Sequence, residues 1–436
     1  MQKLLLPLVL AAYSHLPALA QTQAPSDNRS TPIATSERMI EATGPLTLAV
    51  ALDLVFKANP DIAAAAREVE ALDGALRQAS IIPNPELAAS AEDTQKSTRT
   101  TTLQLNLPIE LGGKRAARTS AAERNRDVAV TELAIKRADI WAATVTAFYD
   151  VLTGQERYRL ALASVELAQG ASSAAAKRVI AGKISPVDET KARIAESAVR
   201  IDLAQADSEL ASARKRLAAL WGNTTQRFER AVGQVDTLPD LPAIDDLTQR
   251  LQQSPNLMRA RMEVDRRQAL TQVERARQIP NITFSIGAKR DEQLGRTQAI
   301  VGMSIPLPLF DRNQGNLQEA LSRTDKARDE LAGAEARLGS DLAQAHERLN
   351  AARHEAQMLQ REILPGAQSA YDAATKGFEY GKFNFLDVLD AQRTLLQAKS
   401  QALRAVSEAY RAAAEIERIL GNTSSGTRQM PVATKS

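Results

Sequence analysis

Few side chains in this sequence have types and spacing that could do chemistry. Asp387 and Asp390 lie one helical turn apart, at i and i+3, near the start of a helix-forming run. Taken alone, carboxylates so placed compensate the helix dipole on a solvated face. His346 and His354 are eight positions apart on a charged stretch, whereas helical metal ligands recur three or four apart, so both read as surface histidines. Met258, Met262 and Met303 make no thioether ladder for Cu(I), and the first two suit helix packing. Gly112-Gly113-Lys114 lacks the remaining spacing of a phosphate loop. Cysteine is absent, which removes disulfides, thiolate catalysis, zinc knuckles and an N-terminal acyl-cysteine anchor. No Ser/His/Asp or Cys/His set can be assembled. The expectation is a protein that is not an enzyme and holds no cofactor or metal of its own.

The elements that position these residues are unusual. Of 436 residues, 44% are apolar and 25% charged, but only 4% are aromatic. Such a chain suits long thin helices packed through narrow seams more than a thick core. A net charge of +3 is too balanced for a nucleic-acid partner. Lys3, the apolar run Leu4 to Ala12 and Ala18-Leu19-Ala20 read as a signal peptide over residues 1–20, which puts the mature chain outside the cytoplasm. Elsewhere no apolar run reaches the length of a membrane-spanning helix, so a membrane role needs β-strands.

The two halves repeat the same landmarks. Asn59-Pro60 answers Ser254-Pro255, Pro83-Asn84 answers Pro280-Asn281, Gly182-Lys183 answers Gly381-Lys382, and Leu220-Trp221-Gly222-Asn223-Thr224 answers Ile419-Leu420-Gly421-Asn422-Thr423. We read an internal duplication. A first repeat, 46–233, holds a helix, a strand pair at 83–108, a helical hairpin at 114–221 and an equatorial segment; a second, 234–421, holds a helix, a strand pair at 280–306 and a hairpin at 315–420. An extended segment, 21–45, precedes them and a disordered tail, 422–436, follows. Lys114 to Ala181 carries no proline, and Leu133, Ile140, Val145, Phe148 and Val151 recur at helical intervals. That run predicts a helix of roughly 100 Å, with Gly182 and Ser185-Pro186 reversing the chain. Segments 42–58 and 222–244 are expected to form a belt halfway along. Leu389, Leu396, Leu403 and Tyr410, seven apart, predict a knobs-into-holes seam against neighbouring helices.

Between Thr101 and Leu107, and again over Ile282 to Ile286 and Ala299 to Ile305, apolar and polar residues alternate as in strands with unlike faces. With a weaker strand at Glu86 to Glu92, one chain supplies four strands. Closed membrane barrels need about eight or more, and open edges are not tolerated in hydrocarbon, so several copies must share a barrel.

Over nearly all of the mature chain the sequence resembles the TolC family of outer-membrane efflux ducts. The likeness is carried by Leu107-Pro108-Ile109-Glu110-Leu111-Gly112-Gly113-Lys114-Arg115 after the second strand and by Ile305-Pro306-Leu307-Pro308-Leu309-Phe310-Asp311-Arg312-Asn313 after the fourth. Both stretches look like the heavy-metal, CzcC-like branch that serves cation pumps of the resistance-nodulation-division (RND) class. The resemblance implies a mainly α fold with β: a homotrimer whose 12-stranded transmembrane β-barrel, four strands per chain, continues into a 12-helix periplasmic α-barrel. It implies residence in outer-membrane lipid of a Gram-negative bacterium, here without a lipid anchor, and partnership with a periplasmic adaptor and an inner-membrane RND pump. The stretch Gly381 to Ala391 is similar to the family's periplasmic entrance and implies that Asp387 and Asp390 form the gate. Phe383 stands where a relative has a latching arginine. Asp188 is the equivalent acidic position of the first hairpin, without a second aspartate beside it. Gly182, Lys183, Ile184, Gly381, Lys382 and Phe383 are implied turn residues and adaptor contacts. The cargo expected on this likeness is a divalent cation such as cobalt, zinc, cadmium or nickel. A drug or solvent duct of the same fold, and a periplasmic adaptor or scaffold coiled coil, are the alternatives.

Overall fold

A computed structural model describes residues 44–233, 237–383 and 385–421. The expected signal peptide, nearly all of the extended segment and the expected C-terminal tail lie outside the described residues.

The first repeat opens with α1 (Leu48–Ala58) and α2 (Pro60–Ser80), separated where sequence reasoning put the break. Asn59 makes the corner twice over. Its Oδ1 accepts from Ile62 N at 3.0 Å, and its Nδ2 donates to the Leu220 carbonyl at 2.7 Å. Proline at the first helical position needs no N–H partner there. Strands β1 (Glu86–Glu92) and β2 (Thr100–Ile109) follow, then α3 (Lys114–Ile180) and α4 (Pro186–Ala219). The 67 residues of α3 extend about 100 Å at 1.5 Å each. The second repeat holds α5 (Ile244–Leu251), α6 (Pro255–Arg277), β3 (Ile282–Asp291), β4 (Arg296–Ser304), α7 (Gln314–Met358), α8 (Leu364–Glu379) and α9 (Phe385–Leu420). The corner is repeated as well: Ser254 caps Leu257 N at 3.3 Å, and Asn256 donates to the Ile419 carbonyl at 3.4 Å.

The repeats differ in one arm. Where α3 runs unbroken, a π-helical turn, Leu359–Ile363, separates α7 from α8. Pro365 follows directly; it has no N–H to close an α-helical bond, and the wider turn absorbs the lost register. The expected single arm from 315 is therefore two helices joined by a π-turn.

The strands form one antiparallel sheet in the order β1-β2-β3-β4, so the two repeats join at β2–β3. Register places Leu87 beside Leu105, Leu105 beside Ile286, and Ile286 beside Val301, all on one face; Gln104, Gly287 and Ile300 share the other. Burial along this sheet is inverted relative to a water-soluble protein. Leu87 and Val301 are 70% and 82% exposed, whereas Thr102, Gln104 and Asn106 are half-buried. Asn106 Oδ1 accepts from Gln104 Nε2 at 2.6 Å and from Ser285 Oγ at 2.9 Å, so the polar face carries its own hydrogen-bonded row. Gly287 lies on that polar face. A Cβ there would come within 2.5 Å of the Leu103 carbonyl, so the missing side chain lets β2 and β3 approach closely.

Among the described residues, the helices pack side by side in two tiers. Beside the sheet end, α2, α3, α6 and α7 are neighbours in that order; towards the turns the order is α4, α3, α9, then α7 and α8. The main core lies where the belt meets α3. Leu54 and Val55 of α1, Trp141, Val145, Phe148 and Leu152 of α3, Leu210 and Leu217 of α4, and Phe228 are all buried there. The belt is fixed by Leu46 N donating to Arg230 O and Val232 N to Leu46 O, each at 2.8 Å. Gln155 adds a paired contact, accepting from Ala231 N at 2.8 Å and donating to Ala231 O at 2.9 Å.

The seam of α9 is displaced from the expected leucines. Leu389, Leu396, Leu403 and Tyr410 are half-buried, and the deepest line runs through Ala398, Ala402, Ala405, Ala409 and Ala412. Leu395, Val406 and Ile416 are buried alongside these alanines, so the covered face mixes small and larger side chains.

Candidate functional site

Both helical turns end in the same device. At the first, Lys183 N donates to Arg178 O at 2.8 Å and Gly182 N to Val179 O at 2.9 Å; at the second, Lys382 N donates to Gly377 O at 2.8 Å and Gly381 N to Phe378 O at 3.1 Å. This is the hydrogen-bond pattern that closes a helix through a left-handed residue. Gly182 and Gly381 supply it with φ of 65° and 68°, where a side chain would be strained. Ser185 then caps α4 by accepting from Val187 N at 3.2 Å, with Pro186 next in the helix.

The two turns lie at one height because their helices touch. The Arg178 guanidinium stacks 4.0 Å above the Phe378 ring. Ala175 and Ala192 are buried beneath Ile184, Phe378 and Leu389. Of the expected turn residues, Lys183 and Lys382 are exposed, Ile184 is half-buried in this cluster, and Phe383 is half exposed. Phe383 folds back over Gly377, where a Cβ would meet its ring at 2.1 Å, and its N–H donates to Gly377 O at 3.2 Å. Sequence reasoning missed Phe378 and Gly377; an aromatic three residues before the turn glycine is the only signal for them.

Asp387 lies in the first turn of α9 and Asp390 one turn on; both side chains are exposed in the single chain. Asp188 is half-buried in the first turn of α4. The three are not drawn together into one chelating set. Among the described residues no group of three or more His, Asp or Glu side chains converges as a metal site would. His346 corrects the expectation of a surface histidine: its ring is largely buried and Nε2 lies 3.1 Å from the Pro242 carbonyl, a packing role, while His354 is exposed. Thr131 donates to Met262 Sδ at 3.0 Å, Met258 is partly exposed, and Met303 lies on the apolar face of the sheet, so the methionines do not meet.

The other end of the helices carries an ionic clamp. Arg118 of α3 donates to Glu110 at 2.7 Å, to the Ala79 carbonyl at 3.0 Å and to the Ile81 carbonyl at 3.1 Å, which ties β2, α2 and α3 together below the sheet. That guanidinium holds the Glu110 carboxyl below its ordinary pKa. Gly112 and Gly113, with φ of 70° and 71°, turn the chain from β2 into α3. In the second repeat Asn313, φ 59°, takes the same place; its Nδ2 donates to the Glu274 carbonyl at 2.9 Å and to the Glu274 carboxylate at 2.8 Å.

A sheet with an apolar outer face and a polar inner one, continuous with a wall of paired helices, defines a membrane-inserted duct subunit. Comparison with known proteins agrees. The family description "Outer membrane efflux protein" matches two blocks of the chain, residues 51–223 and 247–422. The chain is 49% identical to the cobalt-zinc-cadmium resistance protein CzcC of Cupriavidus metallidurans, over 97% of this chain and 100% of that one. It is 29% identical to the nickel-cobalt-cadmium resistance protein NccC of Alcaligenes xylosoxydans xylosoxydans, over 76% of each. Among solved structures, the Vibrio cholerae outer membrane protein VceC superposes with a TM-score of 0.73 at 21% identity, covering 86% of this chain and 96% of that one. The chain belongs to the outer membrane efflux protein family. It has the TolC-like fold, is not an enzyme, and is an outer-membrane efflux channel protein.

Proposed function

We propose that three copies assemble into one duct, which passively conducts divalent heavy-metal cations from an inner-membrane pump and its periplasmic adaptor to the exterior. The observation that carries the reading is the sheet. Its apolar face is exposed along every strand, and among the described residues both its edges, β1 and β4, are unpaired. Unpaired edges are untenable in lipid, and three four-stranded sheets make a 12-stranded wall wide enough for a lumen. The resistance proteins named for cobalt, zinc and cadmium, and for nickel, support the choice of cargo. Conduction needs no tight metal site, which accords with the scattered histidines and methionines.

At the turns, Asp387 and Asp390 form the entrance. Threefold symmetry gathers six carboxylates around the axis, a ring that attracts cations and disfavours anions. The exposed Lys183 and Lys382, with Phe383, face the adaptor.

Two measurements test this. Deletion of the gene is expected to sensitise the host to cobalt, zinc and cadmium salts and leave antibiotic tolerance unchanged; the reverse pattern rejects the cargo. In planar bilayers the Asp387→Asn/Asp390→Asn protein is expected to lose cation preference, and unaltered ion selectivity rejects the carboxylate ring.

A further inference from the structure

The apolar row on the outer face of the sheet does not stop where the strand pairing stops. In β4 the outward positions are Ala299, Val301 and Met303, and the ladder ends at Ser304, opposite Thr283. Ile305, Leu307 and Leu309 continue the same alternation beyond it, 43%, 73% and 64% exposed, and Phe310 at the bend is 91% exposed. Within the ladder the row of β4 spans about 10 Å along the membrane normal, at about 3.4 Å per residue and a tilt of about 40°. Carried on to Leu307 it spans about 20 Å, close to the apolar band of about 25 Å that outer-membrane barrels present.

The backbone of this segment suits a place with little water. Pro306 and Pro308 have no N–H to leave unpaired. Leu309 N donates to Leu307 O at 2.9 Å, Arg312 N to Gln314 Oε1 at 2.8 Å, and Asn313 N to Asp311 Oδ1 at 2.9 Å. Donors met within the segment let it leave the ladder without the cost that unpaired backbone groups incur near hydrocarbon. Arg312 follows, exposed, with its guanidinium 3.5 Å from the Leu309 carbonyl. Apolar side chains that end on a guanidinium match the order of acyl chain and phosphate at a lipid surface. The corresponding junction of the first repeat is built otherwise. There Leu111 is half-buried, a Cβ on Gly112 would meet Ile279 at 2.8 Å, and Arg118 clamps Glu110.

We infer that Leu307, Leu309 and Phe310 form a foot seated in the periplasmic leaflet of the outer membrane, with Arg312 on lipid phosphate. The occupant is phospholipid, because the foot is continuous with the lipid-facing side of the sheet and ends on a positive charge. One foot per chain anchors the duct at the level where strands give way to helices, in a chain with no cysteine to carry an acyl group. The inference rests on the membrane reading of the sheet given above and extends it past the last strand.

Because cysteine is absent, a single introduced cysteine carries a nitroxide label without competition. Leu307→Cys and Phe310→Cys are labelled in protein reconstituted into vesicles of phosphatidylethanolamine and phosphatidylglycerol. Val301→Cys serves as the lipid reference and Lys183→Cys as the water reference. Collision of the label with oxygen, which concentrates in lipid, is compared with collision with a water-soluble paramagnetic chelate. The ratio of the two at both foot positions is expected to stand several-fold above that at Lys183→Cys. Arg312→Glu is expected to lower the ratio at Phe310→Cys, and an unchanged ratio overturns the phosphate contact. A water ratio at both foot positions with a lipid ratio at Val301→Cys overturns the foot and leaves the membrane reading standing. A label immobilised and shielded from both agents does the same, since it puts protein over the segment. A water ratio at Val301→Cys overturns the membrane reading itself.

Discussion

Gly287 offers the sharpest test of how β2 and β3 obtain their close approach. Replacing it with alanine adds one carbon, which would lie 2.5 Å from the Leu103 carbonyl oxygen and 3.0 Å from Gln104 Cα. Both obstacles are backbone, so no side chain can swing aside; β2 and β3 must separate by about half an ångström, and overpacking of this kind costs about 1–3 kcal/mol. Against that stands the gain from reducing the freedom of the unfolded chain, about 0.5–1 kcal/mol. The net expectation is a loss of about 1–2 kcal/mol per chain. Gly170, an exposed position in α3 with nothing within 4 Å of its would-be Cβ, provides the opposite sign. There alanine is expected to stabilise by about 0.5–1 kcal/mol through helix propensity alone. Urea titration of the protein folded into vesicles reads both midpoints. If Gly287→Ala unfolds at the wild-type urea concentration or above it, close approach of the strands is not what the glycine provides.

Three further outcomes follow from other parts of the chain. Ser185→Ala removes the cap of α4 and is expected to cost about 1 kcal/mol, seen as earlier protease cleavage at the first turn while cleavage at the second is unchanged. Tyr410→Phe, which keeps the ring stacked 3.5 Å from Tyr149 but loses the bond to the Thr237 carbonyl, is expected to cost about 1 kcal/mol; Tyr410→Ala is expected to cost about 3 kcal/mol or more in the same denaturation assay. Glu110 has its pKa depressed chiefly by the Arg118 hydrogen bond, so its contribution is full above the ordinary value of 4.5 and is lost as pH falls through the depressed one. Wild type is therefore expected to lose more stability than Glu110→Gln between about pH 5 and pH 3. Equal acid sensitivity of the two proteins rejects the clamp.

Much of this architecture is legible in the sequence because it is written in two clean periods. Alternation over Thr101 to Leu107 and Ile282 to Ile286 marks strands that the structure contains, extended by only a few residues. Matched Asn-Pro and Ser-Pro corners mark the repeats, because a capping side chain followed by proline has few other uses. Three features were not legible, each for its own reason. The π-turn before Pro365 depends on how neighbouring helices accommodate a missing hydrogen bond. The Glu110–Arg118 clamp ends on carbonyls at Ala79 and Ile81, nearly forty residues away from the arginine, and backbone acceptors carry no side-chain signature. The close approach at Gly287 is invisible because glycine in a strand has several uses.

The misplaced seam of α9 is the most instructive difference. Periodicity in sequence reports that a face is covered, not which chain covers it. Inside this chain, α9 is covered along a line of alanines together with Leu395, Val406 and Ile416, and the leucines that carry the heptad are only half-buried beside it. On α4 the separation is complete: the alanines at 192 and 206 face the chain's own α3, and the isoleucines at 194 and 201 face away. A duct built from several copies of a twofold-repeated chain needs each wall helix to have two covered sides. On α4 the side facing α3 buries Ala192, Ala206 and Ala213 together with Leu210 and Leu217, and the opposite side carries the β-branched isoleucines. The same division would explain why a protein of 436 residues needs so few aromatic side chains: it has narrow seams to fill in place of a broad core.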